Sequence, residues 1–313
     1  MSSINTPINP ASWMGALSDQ IGNRMLRQIV LPGTHDSGTY NISAKSPFGM
    51  DETGIVKTLE TLAPLKVVKQ TMANWSKAQF HDFSGQLKMG IRYLDLRVQF
   101  DNGQFNLVHG LVGASMDDLL TQVSDFIKQE QSKQEVVLLD FNHFYNMNTE
   151  TNNKLVTQLQ NRFGGLLAPY SLGTNVTINE LLNGKYQLVV CYDNKEMVTQ
   201  YPFLWPGSAI NSPWPNVQTI EALKSALDKE LPNTGDVFFV LQGILTPDTS
   251  TILNSIKGGT ASLSEWASEV NPQLVKWIQD DWENDNLNII IADFATVDDG
   301  LVNAIIALNQ AGK

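Results

Sequence analysis

The sequence has little cysteine, no long apolar run and little positive charge. Cys191 is the only cysteine among 313 residues, which excludes an intramolecular disulfide and a zinc site built from several thiolates. No apolar run approaches the roughly 18 residues of a membrane-spanning helix, and the first residues lack the basic start and apolar core of a secretory signal peptide. These absences predict a soluble protein that is either cytoplasmic or exported without a visible signal peptide.

The shortage of positive charge limits the classes of partner. Lysine and arginine number 21 against 32 aspartates and glutamates, which gives a formal net charge of −11. Nucleic-acid binding needs clustered basic residues, so this class of function is disfavoured. Adhesion of the whole surface to a strongly anionic membrane is disfavoured for the same reason. A local basic or aromatic surface is still compatible with a lipid substrate.

Short apolar runs alternate with amphipathic segments along the chain, a pattern typical of α/β proteins with a parallel sheet. Predicted strands occupy residues 27–31, 91–100, 105–108, 135–141, 186–192, 237–242 and 287–294. Predicted helices occupy residues 116–129, 151–163, 219–230, 262–279 with an interruption at Pro272, and 298–309. No glycine-rich nucleotide fingerprint follows any strand, which favours a single TIM-type barrel over an open doubly wound sheet. No linker divides the chain, so residues 1–313 are expected to form one domain, with 1–26 as an N-terminal helical extension.

Ionisable side chains stand at or near the ends of the predicted strands. They are His35, Asp36, Asp95, Arg97, His109, Asp140 and Asp293. The C-terminal strand ends of a parallel barrel form its active-site face, so these groups are expected to converge there. One neutral imidazole can accept a proton from an attacking hydroxyl while a protonated one donates to the leaving oxygen, and a guanidinium can bind a phosphate oxygen. The pattern predicts phosphoryl transfer, with a structural role for His35 as the alternative that the residues alone leave open.

Six sequence segments carry a resemblance to a known family. LPGTHDS (31–37), GIRYLDLR (90–97) and LVHG (107–110) resemble the three catalytic segments of the phosphatidylinositol-specific phospholipase C X-domain family. VLLDFNHFY (137–145), PFLWPG (202–207) and IIADF (290–294) resemble its small X domain-containing branch, which lacks accessory domains. The segments occur in the family's order from Leu31 to the C-terminus. The resemblance implies a distorted TIM barrel, in agreement with the strand and helix pattern.

The resemblance also implies a role for each matched residue. His35 matches the general base that removes the proton from the inositol 2-hydroxyl, and Asp293 matches the carboxylate behind it. His109 matches the general acid that protonates the diacylglycerol oxygen, and Asp36 is expected to pair with it. Arg97 matches the arginine that binds the phosphate. The implied products are diacylglycerol and inositol 1,2-cyclic phosphate, and the implied partner is phosphatidylinositol in membranes or micelles, reached by transient interfacial contact and without an obligate protein partner.

Arg97 also bears on the question of a metal. Larger eukaryotic members of the family carry an acidic residue at this position, where it helps to bind Ca²⁺. A guanidinium there repels a divalent cation and can substitute for it, so a reaction without a cofactor is favoured. If Ca²⁺ is used, Asp36, Asp95 and Asp140 are the candidate ligands. Asp95 and Asp140 are equally interpretable as structural carboxylates.

Further residues are assigned from their position in the pattern. Tyr192, Asp193, Gln242 and Asp140 lie at strand ends and are candidates for binding inositol hydroxyls. His143 lies in an aromatic segment and is expected to pack or to form a structural hydrogen bond. Asp101-Asn102-Gly103 is interpreted as a β-turn that joins the strands ending at Phe100 and starting at Phe105. Residues 40–75 match the family poorly and are interpreted either as a lid or interfacial insertion or as a solvated helix.

The tryptophans of the 202–215 loop have two interpretations. Trp205 and Trp214 are candidates for an aromatic rim that enters a lipid interface, where an amphipathic indole is favoured. Packing over the barrel mouth is the alternative, and it is the expectation for Trp205, which lies between prolines.

Two alternative functions are compatible with the same fold. One is a catalytically silent lipid-binding protein, against which the presence of both histidines, Arg97 and Asp293 counts. The other is a metal-dependent glycerophosphodiester phosphodiesterase, a barrel enzyme whose usual histidine, arginine and glutamate spacing is not found in this sequence.

Overall fold

The β-strands form one ten-stranded sheet in the computed structural model, which describes residues 8–51, 53–231, 234–256, 261–283 and 285–310. The strands are β1 (Leu31–Thr34), β2 (Tyr93–Asp101), β3 (Gln104–His109), β4 (Leu111–Ser115), β5 (Val137–Tyr145), β6 (Leu188–Tyr192), β7 (Leu204–Pro206), β8 (Ile210–Asn211), β9 (Phe238–Gln242) and β10 (Ile289–Ala292). Eight of them run parallel in the order β7-β6-β5-β2-β1-β10-β9-β8. They form a nearly closed barrel, which confirms the predicted TIM-type fold.

Helices follow most of the strands. The described α-helices are α1 (Trp13–Ala16), α2 (Ser18–Ile21), α3 (Thr53–Leu62), α4 (Leu65–Ser76), α5 (Phe83–Lys88), α6 (Met116–Ile127), α7 (Thr149–Phe163), α8 (Ile178–Asn183), α9 (Lys195–Gln200), α10 (Ile220–Glu230), α11 (Thr249–Ser255), α12 (Leu263–Asp280) and α13 (Gly300–Ala307). Short 3₁₀ helices occupy Pro10–Ser12, Leu26–Gln28, Glu130–Ser132, Gly164–Leu166, Tyr170–Leu172 and Gly207–Ala209. Among the described helices, none has both the length and the apolar composition to cross a bilayer.

The central strands are buried on both faces, as their runs of Val, Ile and Leu predict. Every residue of β6, β9 and β10 is buried. The predicted strand at 27–31 is wrong in its position, because Leu26–Gln28 is a 3₁₀ helix and pairing begins at Leu31 opposite Ile289. Ile29 and Val30 are buried without belonging to a strand. Their apolar character therefore indicates burial but not strand pairing.

A β-hairpin rises above the barrel and returns to its mouth. Strand β2 continues past the barrel and pairs antiparallel with β3, with Phe100 opposite Phe105. The turn between them places Asn102 at φ +48° and Gly103 at φ +79°, the conformation that favours Asn-Gly in two-residue hairpins. His109 is the last residue of β3. It therefore reaches the mouth from an antiparallel hairpin, whose turn the Asp101-Asn102-Gly103 sequence predicts.

A buried ion pair ties the N-terminal helices to the opposite end of the barrel. Arg92, just before β2, and Glu135, just before β5, are both fully buried, with Nη2 to Oε2 at 2.6 Å. Glu135 also accepts backbone N–H groups from Met14 at 3.3 Å and Gly15 at 2.9 Å. The carboxylate thereby satisfies free N–H groups in the short N-terminal helices.

Helix α12 continues through Pro272, contrary to the predicted interruption. Its buried face comprises Leu263, Ala267, Val270, Leu274, Trp277 and Ile278. Pro272 removes one backbone hydrogen bond. Burial of this apolar face on both sides of the proline compensates for the missing bond.

Residues 40–75 contain a helical hairpin, α3 and α4, beside the mouth of the barrel. Its inner face, including Val56, Leu59 and Val68, packs with Ile42 and Leu111 in a small apolar cluster. At the tip of the hairpin three apolar side chains are exposed: Leu62 by 61%, Leu65 by 58% and Val67 by 37%. The segment is therefore helical and packed on its inner face, with an apolar tip.

Candidate active site

A cavity of about 680 Å³ opens at the C-terminal end of the parallel strands. His35, Asp95, Arg97, His109, Asp140 and Asp293 line it. Asp36, the remaining candidate, is buried beneath His35 and Arg97 and contacts both. The structure thus brings all seven ionisable residues to one place. Their burial and mutual contacts set their protonation states.

His35 lies between a carboxylate on one ring nitrogen and a guanidinium on the other. Its Nδ1 is 2.7 Å from Asp293 Oδ1, and its Nε2 is 2.9 Å from Arg97 Nη2 and 3.1 Å from Asp36 Oδ2. Burial lowers the pKa of His35, but Asp36 and Asp293 outweigh it and raise the pKa to about 9. A neutral Nε2 can accept a hydrogen bond from Arg97, and a protonated Nε2 can donate to Asp36. Both protonation states therefore have a partner.

Asp36 occupies the centre of the charged group in a left-handed backbone conformation, with φ at +44°. Its Oδ1 is 3.0 Å from Arg97 Nε, and its Oδ2 is 3.4 Å from His109 Nδ1. Burial raises the pKa of this carboxyl, but Arg97 and the imidazoles of His109 and His35 have the larger, opposite effect. The net shift of the pKa is therefore downward. The backbone N–H of Asp36 donates to Asp95 Oδ2 at 2.9 Å. Asp95 therefore helps to hold the left-handed conformation.

His109 is held by a backbone carbonyl as well as by a carboxylate. Its Nδ1 is 3.0 Å from the carbonyl oxygen of Ser76, the last residue of α4. This distance is shorter than the 3.4 Å to Asp36 Oδ2, the partner that the sequence predicts. The two imidazole rings are edge to face, with centroids 5.9 Å apart. Because Nδ1 faces Ser76 and Asp36, Nε2 is the nitrogen of His109 available to the cavity.

The carboxylates beside Arg97 are spaced closely enough to bind a metal ion, but the adjacent guanidinium would repel it. Ligand atoms of His35, Asp36 and Asp95 lie within 4.8 Å of one another. Arg97, however, is 3.0 Å from Asp36 Oδ1 and 3.8 Å from Asp95 Oδ2, so a fixed positive charge already lies beside both carboxylates. Asp140, the third predicted Ca²⁺ ligand, is not a member of this group. The residues present do not fit a Ca²⁺ site.

Asp140 belongs to a separate polar network on β2 and β5. The hydroxyl of Tyr93 donates to Asp140 Oδ2 at 2.6 Å. The amide of Asn142 donates to Asp140 Oδ2 at 3.2 Å and to Asp95 Oδ1 at 2.7 Å. Burial and the nearby Asp95 raise the pKa of Asp140 to about 7, against the opposing effect of the hydrogen bonds from Tyr93 and Asn142. Asp140 therefore changes charge near neutral pH.

The other predicted binding residues differ in their outcome. Gln242 lines the cavity, and its amide nitrogen donates to Ser212. Tyr192 does not belong to the cavity lining: it is fully buried on β6, and its hydroxyl donates to Asn152 Oδ1 at 2.7 Å. The structure therefore does not place Tyr192, a predicted binding residue, among the residues that line the cavity. Successive side chains along a strand point to opposite faces of the sheet. The side chain of Tyr192 points outward towards α7.

The two tryptophans of the 202–215 loop have different environments. Trp205 is fully buried and donates from Nε1 to the carbonyl of Ala168 at 2.9 Å, which confirms that it packs. Trp214 is 58% exposed and lines the mouth of the cavity. It is therefore the candidate for the aromatic rim.

Asp193, a predicted binding residue, lines the cavity. Asn142 and His143 also line it, although the sequence-based prediction did not place them there. Asp140 and Asn142 are two residues apart on one strand, so their period of two could have indicated a shared face. Partial burial of the His143 ring, together with the nearby Arg97, lowers the pKa of this imidazole. The aromatic residues around it had indicated packing instead.

Polar and apolar side chains both line the cavity. Asp140, Asn142, Asp193 and Gln242, on or directly after β5, β6 and β9, are termed the polar wall. Ile55, Met72, Trp75, Ile252 and Leu263, from α3, α4, α11 and α12, are termed the apolar wall. The two imidazoles and Arg97 lie with them around the same cavity. The arrangement can hold an amphiphile with an anionic group beside an acid–base pair.

Comparison with known proteins places the chain in a family. It is 35% identical over 307 residues to PI-PLC X domain-containing protein 2 of Mus musculus, which covers 96% of this chain and 88% of that protein. It is 34% identical over 310 residues to PI-PLC X domain-containing protein 3 of Danio rerio, with 96% and 93% covered. The fold is similar to that of phosphatidylinositol-specific phospholipase C from Listeria monocytogenes, at a TM-score of 0.66 and 17% identity over 96% of this chain and 99% of the other. No protein-family model matches the sequence. The chain belongs to the PI-PLC X domain-containing family.

Proposed function

We propose that this protein is a phosphatidylinositol-specific phospholipase C that releases diacylglycerol and inositol 1,2-cyclic phosphate. The observation that carries the proposal is the pair of imidazoles with centroids 5.9 Å apart, each held through Nδ1, with Arg97 at 2.9 Å from one of them. An acid and a base at this spacing can act on the two oxygens that attack and leave one phosphorus. Family membership supports the same assignment.

In the proposed reaction His35 accepts the proton of the inositol 2-hydroxyl through Nε2, and the freed oxygen attacks the phosphorus. The bond from phosphorus to the glycerol oxygen breaks, and His109 donates its Nε2 proton to that oxygen. Asp293 fixes the His35 ring through Nδ1 and stabilises the imidazolium that forms. Arg97 offsets the negative charge that develops on the phosphate oxygens. The attacking hydroxyl belongs to the substrate, so proximity contributes much of the rate.

The two walls of the cavity support a phospholipid with a polyol head group. Carboxylate and amide oxygens of Asp140, Asp193 and Gln242 are hydrogen-bond acceptors for ring hydroxyls. The apolar wall from the helical hairpin and α11 suits the glycerol and the start of the acyl chains. Trp214, exposed at the mouth, is the aromatic side chain proposed to contact the lipid interface.

The direct test is turnover of phosphatidylinositol with the products identified by ³¹P NMR, in Ca²⁺ and in EGTA. We expect the cyclic phosphate in equal amount under both conditions, because Arg97 supplies the positive charge that a metal would supply. Activity lost in EGTA would contradict the proposed role of Arg97 while leaving the reaction in place. Turnover of glycerophosphodiesters that depends on metal would instead support a metal-dependent phosphodiesterase.

Substitution of each histidine separates catalysis from lipid binding. His35→Ala and His109→Ala should each lower kcat by about 10²- to 10⁴-fold, because each removes one proton-transfer group. His81→Ala is the matched control, since His81 contacts Thr296 through Nδ1 at 3.0 Å and does not belong to the cavity lining. Lipid binding without turnover in the unmodified protein would sink the enzyme proposal in favour of a silent lipid-binding protein.

A further inference from the structure

The turn that carries His109 is clamped between α4 and the segment before α3. The backbone N–H of Gly110 donates to Asp51 Oδ2 at 2.7 Å, and its carbonyl accepts the N–H of Gly49 at 2.9 Å. On the other side, a Cβ added to Gly110 would lie 2.5 Å from Ser76 Oγ and 2.8 Å from Met72 Cε. The chain at Gly110 is thus in direct contact with α4.

The carbonyl of Ser76 is well suited to hold the imidazole of His109. Ser76 ends α4, and the last carbonyls of a helix have no partner within the helix. This carbonyl accepts from Nδ1 at 3.0 Å. Asp36 is farther away, at 3.4 Å, and its carboxylate also contacts Arg97 at 3.0 Å and His35 at 3.1 Å. The backbone of α4 is therefore the nearer partner of His109 Nδ1.

We propose that α4 positions the general acid, with the Ser76 carbonyl holding Nδ1 of His109 so that Nε2 faces the leaving oxygen. This inference rests on the proposed function, because it assigns a partner to a residue of that reaction. Ser76 acts through His109 and is a positioning residue. Movement of α4 would shift His109, and a displacement of about 1 Å in a reacting group costs about 10²-fold in rate.

Gly110→Ala tests the contact between the His109 turn and α4. The added methyl group would crowd Ser76 Oγ and Met72 Cε at the contact with α4, and the φ of +65° would add backbone strain. Gly103→Ala is the matched control: its φ is +79°, but a Cβ there meets no atom within 4 Å. The control therefore carries the strain without the crowding against α4.

The readout is a comparison of two substrates with different leaving groups. The leaving group of phosphatidylinositol is the alkoxide of diacylglycerol, which needs a proton. The leaving group of p-nitrophenyl inositol phosphate is p-nitrophenolate, which is stable without one. We expect Gly110→Ala to lower kcat on phosphatidylinositol by about 10²-fold and to leave kcat on the aryl substrate nearly unchanged. Gly103→Ala should leave the ratio of the two rates at the wild-type value. Equal losses on both substrates, or no loss on either, would overturn the proposal.

A second variant addresses the hydrogen bond itself and does not depend on the folding of Gly110→Ala. Replacement of Lys77 by its α-hydroxy acid turns the Ser76 carbonyl into a weaker ester acceptor, at the expense of the bond from Lys77 N–H to Ala73. An ester at position 76 removes a backbone N–H of α4 in the same way but weakens the carbonyl of Trp75 instead. We expect the first ester alone to lower turnover of phosphatidylinositol about five- to tenfold, with the aryl substrate unaffected. Identical behaviour of the two esters would contradict the role of Ser76.

The unmodified protein separates failure of the inference from failure of the proposed function. If it hydrolyses neither substrate, the proposed function fails and the inference with it. If it hydrolyses both, and neither Gly110→Ala nor the ester at position 77 discriminates between them, the inference alone fails.

Discussion

At the scale of single residues, the candidate site depends on one carboxylate with several partners. Asp36 lies within 3.4 Å of His109 Nδ1, 3.1 Å of His35 Nε2 and 3.0 Å of Arg97 Nε. Its left-handed backbone costs about 1 kcal/mol or more, and Asp95 helps to hold that backbone by accepting its N–H. Three cationic or protonatable groups are thus gathered around one negative charge. Removal of any one of these partners changes the electrostatic environment of the others.

Asp293→Asn should change both the maximal rate and its dependence on pH. Burial lowers the pKa of His35, but Asp36 and Asp293 raise it to about 9, so activity that needs neutral His35 rises with pH towards that value. The loss of one carboxylate moves this rise to lower pH. The maximal rate should fall by about 10³-fold or more, because an amide can hold the wrong tautomer of the ring. The measurement is kcat/KM on the soluble aryl substrate across the neutral and alkaline range, and an unmoved rise would contradict the role of Asp293.

Asp140→Asn should stabilise the protein at alkaline pH and weaken head-group binding. Burial and Asp95 raise the pKa of Asp140 from its ordinary value near 4 to about 7. At low pH the carboxyl is protonated in both the folded and the unfolded protein, and the free energy of unfolding has its full value. Part of this stability is lost as the pH rises from about 4 through about 7. The neutral amide avoids this loss, so Tm should increase at pH 8 and change little at pH 4, while KM for phosphatidylinositol rises.

Asp193→Asn is the control for Asp140→Asn on the same wall of the cavity. The side chain of Asp193 is exposed. The substitution therefore removes a solvated charge and does not remove the cost of burying one. We expect Tm at pH 8 to be close to that of the unmodified protein. An equal rise in Tm for Asp140→Asn at both pH values would show that ionisation of the carboxyl does not destabilise the fold.

At the scale of secondary-structure elements, the sequence predicts the type of an element better than its partner. The buried runs that become β6, β9 and β10 are evident from composition alone, because strands covered on both faces are continuous in apolar residues. The Asp101-Asn102-Gly103 turn indicates the antiparallel direction of β3, and the pairing of Val98 with Leu107 confirms it. Local apolar periodicity carries no information about the pairing of strands that are distant in sequence, such as β1 with β10. The hairpin was therefore predictable from its turn, whereas the order of the parallel strands was not.

Much of the candidate site could be predicted, since carboxylates and imidazoles at strand ends have few structural explanations. The outward direction of Tyr192 could not, because it depends on which face of β6 packs against α7. Ser76 has no signature at all, since its contribution is a backbone carbonyl at a helix end. Which carbonyl reaches an imidazole is a matter of packing between distant segments. The sequence alone does not specify it.

The buried pair of Arg92 and Glu135 should stabilise the fold without affecting the chemistry. Glu135→Gln leaves the guanidinium of Arg92 buried without its counter-charge, which should cost about 3–5 kcal/mol in the free energy of unfolding. The pair lies before β2 and β5, at the end of the barrel opposite the cavity. The kcat of the folded fraction at 25 °C should therefore be unchanged. Chemical denaturation monitored by tryptophan fluorescence gives the first quantity, and initial rates give the second.

Glu130→Gln is the control for this prediction. Glu130 is 2.6 Å from Lys133, but the two side chains are 86% and 63% exposed. Exposed pairs contribute about 0–1 kcal/mol, so this substitution should have a small effect. Comparable losses for Glu130→Gln and Glu135→Gln would refute the assignment of the stabilisation to burial.

At the scale of the whole molecule, the chain is negative, while the helical hairpin beside the cavity carries Lys57, Lys66 and Lys69 against Glu60 and so a small positive charge. The chain carries a formal net charge of −11. The helical hairpin beside the mouth exposes Lys57 and Lys66, while Lys69 is partly buried with its Nζ 3.7 Å from the centre of the Phe48 ring. A vesicle that contains phosphatidylinositol is itself anionic. The distance over which charges act therefore decides whether the protein is repelled or attracted.

Turnover on vesicles should pass through a maximum as salt is increased. The screening length is about 30 Å at 0.01 M, about 8 Å at 0.15 M and about 3 Å at 1 M. At the lowest salt the whole negative molecule is repelled from the membrane. Near 0.15 M only charges close to the mouth act, so Lys57 and Lys66 favour docking. At the highest salt this attraction is screened as well, and turnover should decrease again.

The measurement is the initial rate on phosphatidylinositol vesicles across this range of salt, with vesicle flotation to report binding. In a Lys57→Gln, Lys66→Gln double variant the rise at low salt should persist, since net repulsion is unchanged or larger, while the decrease at high salt should flatten. Dilution of phosphatidylinositol into phosphatidylcholine lowers the negative charge of the vesicle. It should weaken both the rise in turnover at low salt and the decrease at high salt. A rate that falls steadily from the lowest salt would instead show that the lysines dominate at every distance. In that case the net charge of −11 would have no influence on how the protein reaches its substrate.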